Sequence, residues 1–317
     1  MNMGRVLITG GAGFIGSHLV EAFVAQRAFD EIVVYDNLRT GRLENIRPQL
    51  DSGAVQFIQA DVRDVEALRS AMAHTTTVFH LAAHANVISA SRNLEDAFTT
   101  NVRGAFNVLQ HAKDCGVQRV IFTSSREVYG EPDNLPVAED APLAAKNAYG
   151  SSKIEGEAYS HIFSRLGLQV GIARLTNVYG PRDSDRVIPL FVKKALRGEP
   201  LVIYGGQQII DFIWVGDVVD ILIRLAQSDQ MPDSPLNVGS GVGTRLTTLA
   251  EQICALTGSH SEIILAPART PEVVRFVADT RRLRAWIGTH PARPPLEKLA
   301  DVVEDLAAQL ERLTVES

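Results

Sequence analysis

Arg5-Val-Leu-Ile-Thr-Gly-Gly-Ala-Gly-Phe-Ile-Gly-Ser-His-Leu-Val20 decides how the rest of the chain is read. Val6, Leu7 and Ile8 form a short apolar run with β-branched ends, the composition of a buried strand. Gly10, Gly13 and Gly16 follow in a G-x-x-G-x-x-G turn, and Ile15, Leu19 and Phe23 then recur at the spacing of a helix packed on a sheet. Each glycine has a task in such a turn. One permits the sharp bend, one lets a pyrophosphate approach the backbone, and one lets the helix sit close to the strand. The unpaired N–H groups of the first helical turn then receive the anion.

Working outward, Glu31-Ile-Val-Val-Tyr-Asp36 reads as a second strand ending in an acid. Asp36 lies 20 residues beyond Gly16, where a dinucleotide site places a carboxylate on the adenosine ribose hydroxyls. A carboxylate there repels a 2′-phosphate, so NAD rather than NADP is expected, with Arg39 as the neighbour able to accept that phosphate instead. Val55-Gln-Phe-Ile-Gln59 is a third strand with alternating faces. Beyond it, Asp64 reads as a helix cap and Asp61 as an acceptor for an adenine amino group. Thr77-Val-Phe-His-Leu-Ala-Ala83 is a fourth strand, ending in small residues that permit close approach of a cofactor. A helix is expected over about 93–115, with Phe98, Val102, Phe106 and Leu109 on one stripe. Arg119-Val-Ile-Phe-Thr-Ser-Ser125 is the fifth strand. Strands alternating with helices specify an α/β fold, a Rossmann-type doubly wound parallel sheet whose ligands bind at the strands' carboxyl ends.

Bulk composition excludes several classes. At 317 residues and 45% apolar content the chain suits one large α/β unit or two intimate domains, not a disordered polymer. Lys and Arg total 31 against 37 Asp and Glu, with no basic run, so neither nucleic acid nor a membrane surface is an expected partner. No stretch approaches the roughly 20 apolar residues of a membrane span. The opening residues lead straight into the glycine-broken strand, without the apolar segment of a secretory signal, and a cytoplasmic location is expected. Cys115 and Cys254 lack metal-ligand spacing and read as buried free thiols, with no metal site.

The chemical centre lies further on. Ser125 ends the fifth strand, so its hydroxyl is expected to face the cleft. Tyr149 and Lys153 stand at i and i+4 on a helix expected over about 148–166, on one face. A lysine ammonium beside a phenol favours the phenolate and brings a tyrosine toward the range of a general base. Ser125 can hold the reacting oxygen of an alcohol or ketone.

These motifs together resemble the extended short-chain dehydrogenase/reductases, in particular their nucleotide-sugar epimerase and dehydratase group. The resemblance is carried by Thr9-Gly-Gly-Ala-Gly-Phe-Ile-Gly16, Asp36-Asn37-Leu38, Asp61-Val62, His80-Leu-Ala-Ala83, Asn101-Val102, Ser124-Ser-Arg-Glu-Val-Tyr-Gly130, Tyr149-Gly-Ser-Ser-Lys153 and Arg174-Leu-Thr-Asn-Val-Tyr-Gly-Pro181. It implies NAD held by Gly10, Gly13, Phe14, Ile15, Gly16, Asp36, Asn37, Asp61, Val62, Leu81, Ala82, Ala83, Asn101, Tyr149 and Lys153. It also implies a mechanism. Tyr149 removes the proton of a sugar 4-hydroxyl while C4 gives up its hydride, Ser125 holds the same oxygen, and Lys153 tunes Tyr149 and grips the nicotinamide ribose. In an epimerase the 4-keto sugar turns over and takes the hydride back on its other face. A homodimer through the helices of about 93–115 and 148–166 is implied as well.

The second half is expected to close over the substrate, a nucleoside-diphosphate sugar and most simply a UDP-sugar. Residues 1–175, with returning segments near 211–240, are read as the NAD-binding domain, and 176–317 as a smaller interlocked substrate domain. The resemblance assigns Asn177 to the nucleotide sugar and Arg269, in an Arg-x-x-Glu with Glu272, to the diphosphate; Val187, where the covering segment begins, is expected among the substrate-binding residues. Two departures bear on the reaction. Where the group usually carries Gly-Asp-Gly-x-Gln-x-Arg-Asp-Phe, this chain reads Gly205-Gly-Gln-Gln-Ile-Ile-Asp-Phe212, with Ile210 in the arginine's place. Arg182, Arg186 and Arg245 are the candidate substitutes for that bidentate phosphate contact. Arg126 also replaces the acid that dehydratases pair with Glu127, and a guanidinium cannot supply a proton at neutral pH. Arg126 is instead expected beside a negative group of the substrate, a uronate carboxylate or a phosphate. A 4-epimerase is therefore the first reading, a 4,6-dehydratase, decarboxylase or keto-sugar reductase the alternative, and a non-catalytic NAD sensor the last.

Overall fold

The computed structural model describes residues 4–268, 273–288 and 293–315. Its strands, in chain order, are β1 (Arg5–Thr9), β2 (Glu31–Asp36), β3 (Gln56–Gln59), β4 (Thr75–His80), β5 (Arg119–Ser125), β6 (Gln169–Leu175), β7 (Asn177–Tyr179), β8 (Leu201–Tyr204), β9 (Ile209–Trp214), β10 (Leu236–Val238), β11 (Gly243–Arg245), β12 (Ile263–Ala266) and β13 (Arg275–Phe276). The helices are α1 (Phe14–Gln26), α2 (Arg47–Asp51), α3 (Val65–Ala71), α4 (Val87–Arg92), α5 (Leu94–Ala97), α6 (Gly104–Asp114), α7 (Ala148–Arg165), α8 (Val187–Leu196), α9 (Val215–Gln227), α10 (Leu246–Thr257), α11 (Arg281–Ile287) and α12 (Leu299–Val315).

Seven strands form one sheet in the order β10-β6-β5-β4-β1-β2-β3, and every pairing in it is parallel. The direction of winding reverses between β1 and β4. That switch point leaves a crevice beyond the strands' carboxyl ends, where ligands of such sheets bind. The central strands are buried on both faces, as the apolar runs of β1 and β2 require: Val6, Leu7 and Ile8 are fully inaccessible, as are Val33 and Val34. One layer, with α1 and α9, packs around Phe23, Phe79 and Leu222. The other, with α3 and α6, packs around Leu68, Leu109 and Phe122.

The later part of the chain divides its elements. α9 and β10 return to the large sheet, with Leu236, Asn237 and Val238 paired to Ala173, Arg174 and Leu175. β7, β9, β11 and β13 form a smaller sheet, and β8 pairs with β12. α8, α10 and α12 close a separate apolar cluster around Phe191, Phe212 and Leu249. No helix among the described residues is long and apolar enough to cross a membrane.

Two expectations need correction. The helix over 93–115 is broken into α5, a π-type turn over Phe98–Arg103, and α6. Only part of its stripe is buried: Val102 and Leu109 point inward, whereas Phe98 is 52% and Phe106 37% exposed. The wide turn adds a residue to the helical cycle and breaks the even phase that a regular helix would have kept. The cysteines are free, but each is part-exposed rather than buried.

Candidate active site

The glycine turn is shaped by contacts on every side. Gly10 adopts φ +74, and a Cβ there would lie 2.7 Å from Ala82 N. A Cβ on Gly16 would lie 2.2 Å from Gly10 O and 2.7 Å from Gly11 Cα, so only glycine lets α1 start this close to β1. Gly13 caps α1 without a side-chain hydrogen bond, and no acid stands in the helix's first turn. The leading N–H groups of α1 are therefore free to meet an anion.

That turn opens on a cleft of about 1800 Å³ that crosses the switch point. A single small-molecule site occupies about 300–1,000 Å³, so the cleft has room for a dinucleotide and a second ligand together. Gly10, Gly13, Phe14, Ile15, Gly16, Asp36, Asn37, Val62, Leu81, Ala82 and Ala83 line it on the β1–β4 side. Ser125, Arg126, Tyr149 and Lys153 line its floor, and Asn177 and Val187 its far wall. Asp36 accepts the Ala12 N–H at 3.0 Å and the Leu38 N–H at 2.9 Å. Burial raises its carboxyl above the usual carboxylate range, opposed by those two donors.

Two residues assigned to the cofactor do not themselves line the cleft, and their side chains are taken up by neighbours. Asn101 accepts the His84 N–H at 2.7 Å and donates to Ser152 Oγ at 2.9 Å and to His84 O at 3.2 Å. Its amide is thereby spent bracing the cleft-lining loop at His84 against α7. The Asp61 carboxylate takes Arg63 Nε at 2.8 Å, Arg63 Nη2 at 2.7 Å and Asn37 Nδ2 at 2.7 Å. The Arg63 hydrogen bonds hold its pKa down near 2. Asp64 does cap α3, accepting the Ala67 N–H.

The floor of the cleft brings Ser125, Tyr149 and Lys153 together. Ser125 Oγ accepts the Glu127 N–H at 3.2 Å, and its hydroxyl stands close enough to the Tyr149 phenol to oppose the effect of burial there. Asn147 caps α7 by accepting the Gly150 N–H at 2.8 Å, which sets where Tyr149 enters the helix. Lys153 is 3% exposed, and its Nζ donates to Thr123 O at 2.7 Å while lying 5.7 Å from the Tyr149 ring centre. Burial pushes the Tyr149 phenol up to about 12 and brings Lys153 down to about 8. The expected lowering of the phenol by Lys153 is therefore not the arrangement found. The cations that offset burial at Tyr149 are Arg186 and Arg126, with Glu127 opposing them.

Arg186 is the residue whose place near the phenol the sequence reading missed. It stands just before α8, pairs with Asp183 at 3.0 Å and lies over the Phe14 ring at 5.3 Å. A basic residue at the mouth of an apolar helix that follows Gly180-Pro181 is the signal that could have found it. Part-exposed Arg126 pairs with buried Glu127 at 2.9 Å, and Asn147 Nδ2 donates to the other Glu127 oxygen at 2.7 Å. Ile210 is buried in the apolar cluster beside Phe212 and also lines the cleft, so that wall offers no charge. Arg182 lines the cleft but pairs with Glu21 at 2.7 Å, whereas Arg245 is exposed away from it. Arg269 and Glu272 lie outside the described residues. Asn177 Oδ1 is buried with no hydrogen-bond partner among the described residues, an acceptor left open on the cleft wall.

These features fit a bound NAD. The N–H groups of α1 suit its pyrophosphate, the Asp36 wall its ribose, and the buried Lys153 amine keeps donors beyond the one used on Thr123 O.

The model of the NAD dependent epimerase/dehydratase family matches residues 6–239. A UDP-glucose 4-epimerase of Mycolicibacterium smegmatis is 34% identical over 312 residues, covering 95% of this chain and 97% of that protein. UDP-glucuronic acid decarboxylase 3 of Arabidopsis thaliana is 33% identical over 316 residues, covering 96% and 90%. The crystal structure of UDP-glucose 4-epimerase from Thermotoga maritima with UDP-glucose superposes with a TM-score of 0.90 at 30% identity, covering 96% of this chain and 99% of that one.

Proposed function

The chain belongs to the NAD dependent epimerase/dehydratase family, and from that premise we propose that it inverts C4 of a UDP-sugar through a 4-keto intermediate. It is an NAD-dependent enzyme of sugar nucleotides; the choice among reactions rests on its own residues. The observation that carries the reading is the convergence of Ser125, Tyr149 and a buried Lys153 on one cleft floor.

NAD, when bound, supplies the acceptor and donor of the hydride. Tyr149 takes the proton of the sugar 4-hydroxyl and returns it to the oxygen after the keto sugar has turned. Ser125 holds that oxygen throughout, and Lys153 offers its remaining donors to a ribose hydroxyl. Asn177 offers its open Oδ1 to the nucleotide sugar. Residues 1–175, with α9 and β10, are proposed to hold the cofactor, and the remainder of 176–317 the sugar nucleotide.

Dehydration is disfavoured by the pair next to Ser125. Arg126 carries no proton it can release near pH 7. Both oxygens of Glu127 are engaged, one by Arg126 and one by Asn147. The reading is tested by incubating the protein with a panel of UDP-sugars and following the products by NMR. Inversion at C4 without net NADH supports it; a 4-keto-6-deoxy product or loss of CO2 replaces it with the other reactions of the family.

Arg126 lines the cleft next to Ser125 in the chain, and we assign it to an anionic group of the substrate. An Arg126→Ala variant is expected to lose about tenfold or more in kcat/KM on an acidic UDP-sugar relative to a neutral one, the value of one charge-assisted hydrogen bond. Equal loss on both would remove Arg126 from the specificity of the site.

We also propose a homodimer. Leu94 and Phe98 before α6, and Ile162 and Leu166 at the end of α7, are each at least half exposed, with Phe106 and Tyr159 packed edge to face between them. Such a patch on two neighbouring helices matches a self-complementary two-fold contact. Sedimentation of the parent protein is expected to give a dimer mass, and a Phe98→Asp, Ile162→Asp variant a monomer. A monomeric parent would overturn the assignment.

A further inference from the structure

We propose that Glu157 is a positioning residue that locks the register of α7 on β5 and supplies the negative charge that keeps the Lys153 amine an ammonium. Its effect on turnover rests on the functional reading above; the geometry and the lysine's charge stand without it.

One turn of α7 grips successive residues of β5. Gly156 sits flush on Phe122, where an added Cβ would lie 2.4 Å from the ring's Cζ. Lys153 Nζ donates to Thr123 O at 2.7 Å. Glu157 Oε1 accepts the Ser124 hydroxyl. Ser125 comes next and meets Tyr149, one turn earlier on the same helix. A slip of α7 by one residue would break all of these contacts together. Glu157 is itself held rigid, since Arg174 of β6 donates Nε to Oε1 at 2.9 Å and Nη2 to Oε2 at 2.7 Å. The Arg174 Nη1 then reaches the Tyr129 hydroxyl at 2.7 Å and Glu139 O at 2.9 Å. The carboxylate thus ties the helix that bears Tyr149 and Lys153 to two strands of the sheet.

The same carboxylate sets the local charge. Glu157 and Arg174 are 2% and 4% exposed, so their fields reach Lys153 with little screening by water. Lys153 is faced by Tyr149 and Glu157 on its own helix, by His80 of β4, and, behind Glu157, by Arg174 of β6. Burial brings His80 down to about 3, so it is neutral near pH 7. Burial also lowers Lys153, and Glu157 is the acid that opposes this. Removing the Glu157 charge would leave Arg174 as a bare cation on the same side.

The chain holds six lysines, and the holoenzyme labelled in its lysine side chains allows Lys153 to be followed by NMR, with Lys153→Met fixing the assignment. In Glu157→Gln the Lys153 titration midpoint is expected to fall by about one pH unit or more. The alkaline limb of kcat is expected to move with it, while KM stays within about twofold. Ser124→Ala keeps the charge and removes one register contact; it is expected to lower kcat by about tenfold with the midpoint unmoved. If Glu157→Gln does not fold, the double variant with Arg174→Met removes both buried charges and is expected to lower the midpoint by a smaller amount, because the opposing cation goes with the carboxylate. An unmoved midpoint overturns the electrostatic half of the proposal, and an unimpaired Ser124→Ala the register half. A parent protein that turns over no UDP-sugar would sink the functional reading and leave the midpoint to decide this one.

Discussion

Replacing Tyr149 with phenylalanine is expected to cut turnover by about a thousandfold while leaving NAD bound, the range in which a single general acid–base group acts. The ring stays in place on α7, and only the hydroxyl that meets Ser125 is lost. No neighbour can replace it. The Glu127 carboxylate is committed to Arg126 and Asn147, and Lys153 is turned to Thr123 O. The pH dependence has a definite sign. A phenol pushed up to about 12 is neutral at pH 7, so the basic form grows as pH rises. The ammonium of Lys153 is lost above about 8 and opposes the gain. The rate should therefore climb through neutral pH and level off near the lysine's midpoint. Turnover of the Tyr149→Phe variant within about tenfold of the parent would remove the assigned base.

Gly16→Ala is expected to have the next largest effect, on the cofactor. The new Cβ would stand 2.2 Å from Gly10 O and 2.7 Å from Gly11 Cα, both backbone atoms that cannot swing aside. The start of α1 must then lift from β1, at a cost near the upper end of overpacking, about 3 kcal/mol. The same displacement moves the N–H groups meant for the pyrophosphate. Each 1.4 kcal/mol lost from binding is about tenfold in affinity, so NAD should be held about a hundredfold more weakly. Retained NAD in the purified variant, with an unchanged melting temperature, would contradict this account of the turn.

The parts of the site legible in sequence were those whose geometry is local. The glycine turn, Asp36 at a strand end, and Tyr149 and Lys153 one helical turn apart are fixed by spacing within a single element. What escaped depends on contacts between elements. Asn101 sits in a motif associated with the cofactor, yet its amide is used on His84 and Ser152, a pairing that links the π-type turn to the His84 loop and to α7. Asp61 was read without its partner Arg63, two residues on, because nothing in spacing alone says that the guanidinium turns back. The stripe through Phe98 and Phe106 assumed an even helical phase that the π-type turn interrupts. Glu157 and Arg174 stand on different elements, and only the fold reveals that they share a bidentate pair behind the reacting serine. The pull of burial on Tyr149, stronger than any one cation, likewise follows from three-dimensional packing.

The central claim is that C4 of the sugar gives up and regains its own hydrogen. It is tested most directly by running the reaction in deuterium oxide with a UDP-sugar and reading C4 by NMR. The account predicts a product inverted at C4, with no deuterium on carbon and no net NADH. Deuterium at C5, or a product that has lost water or CO2, would contradict it.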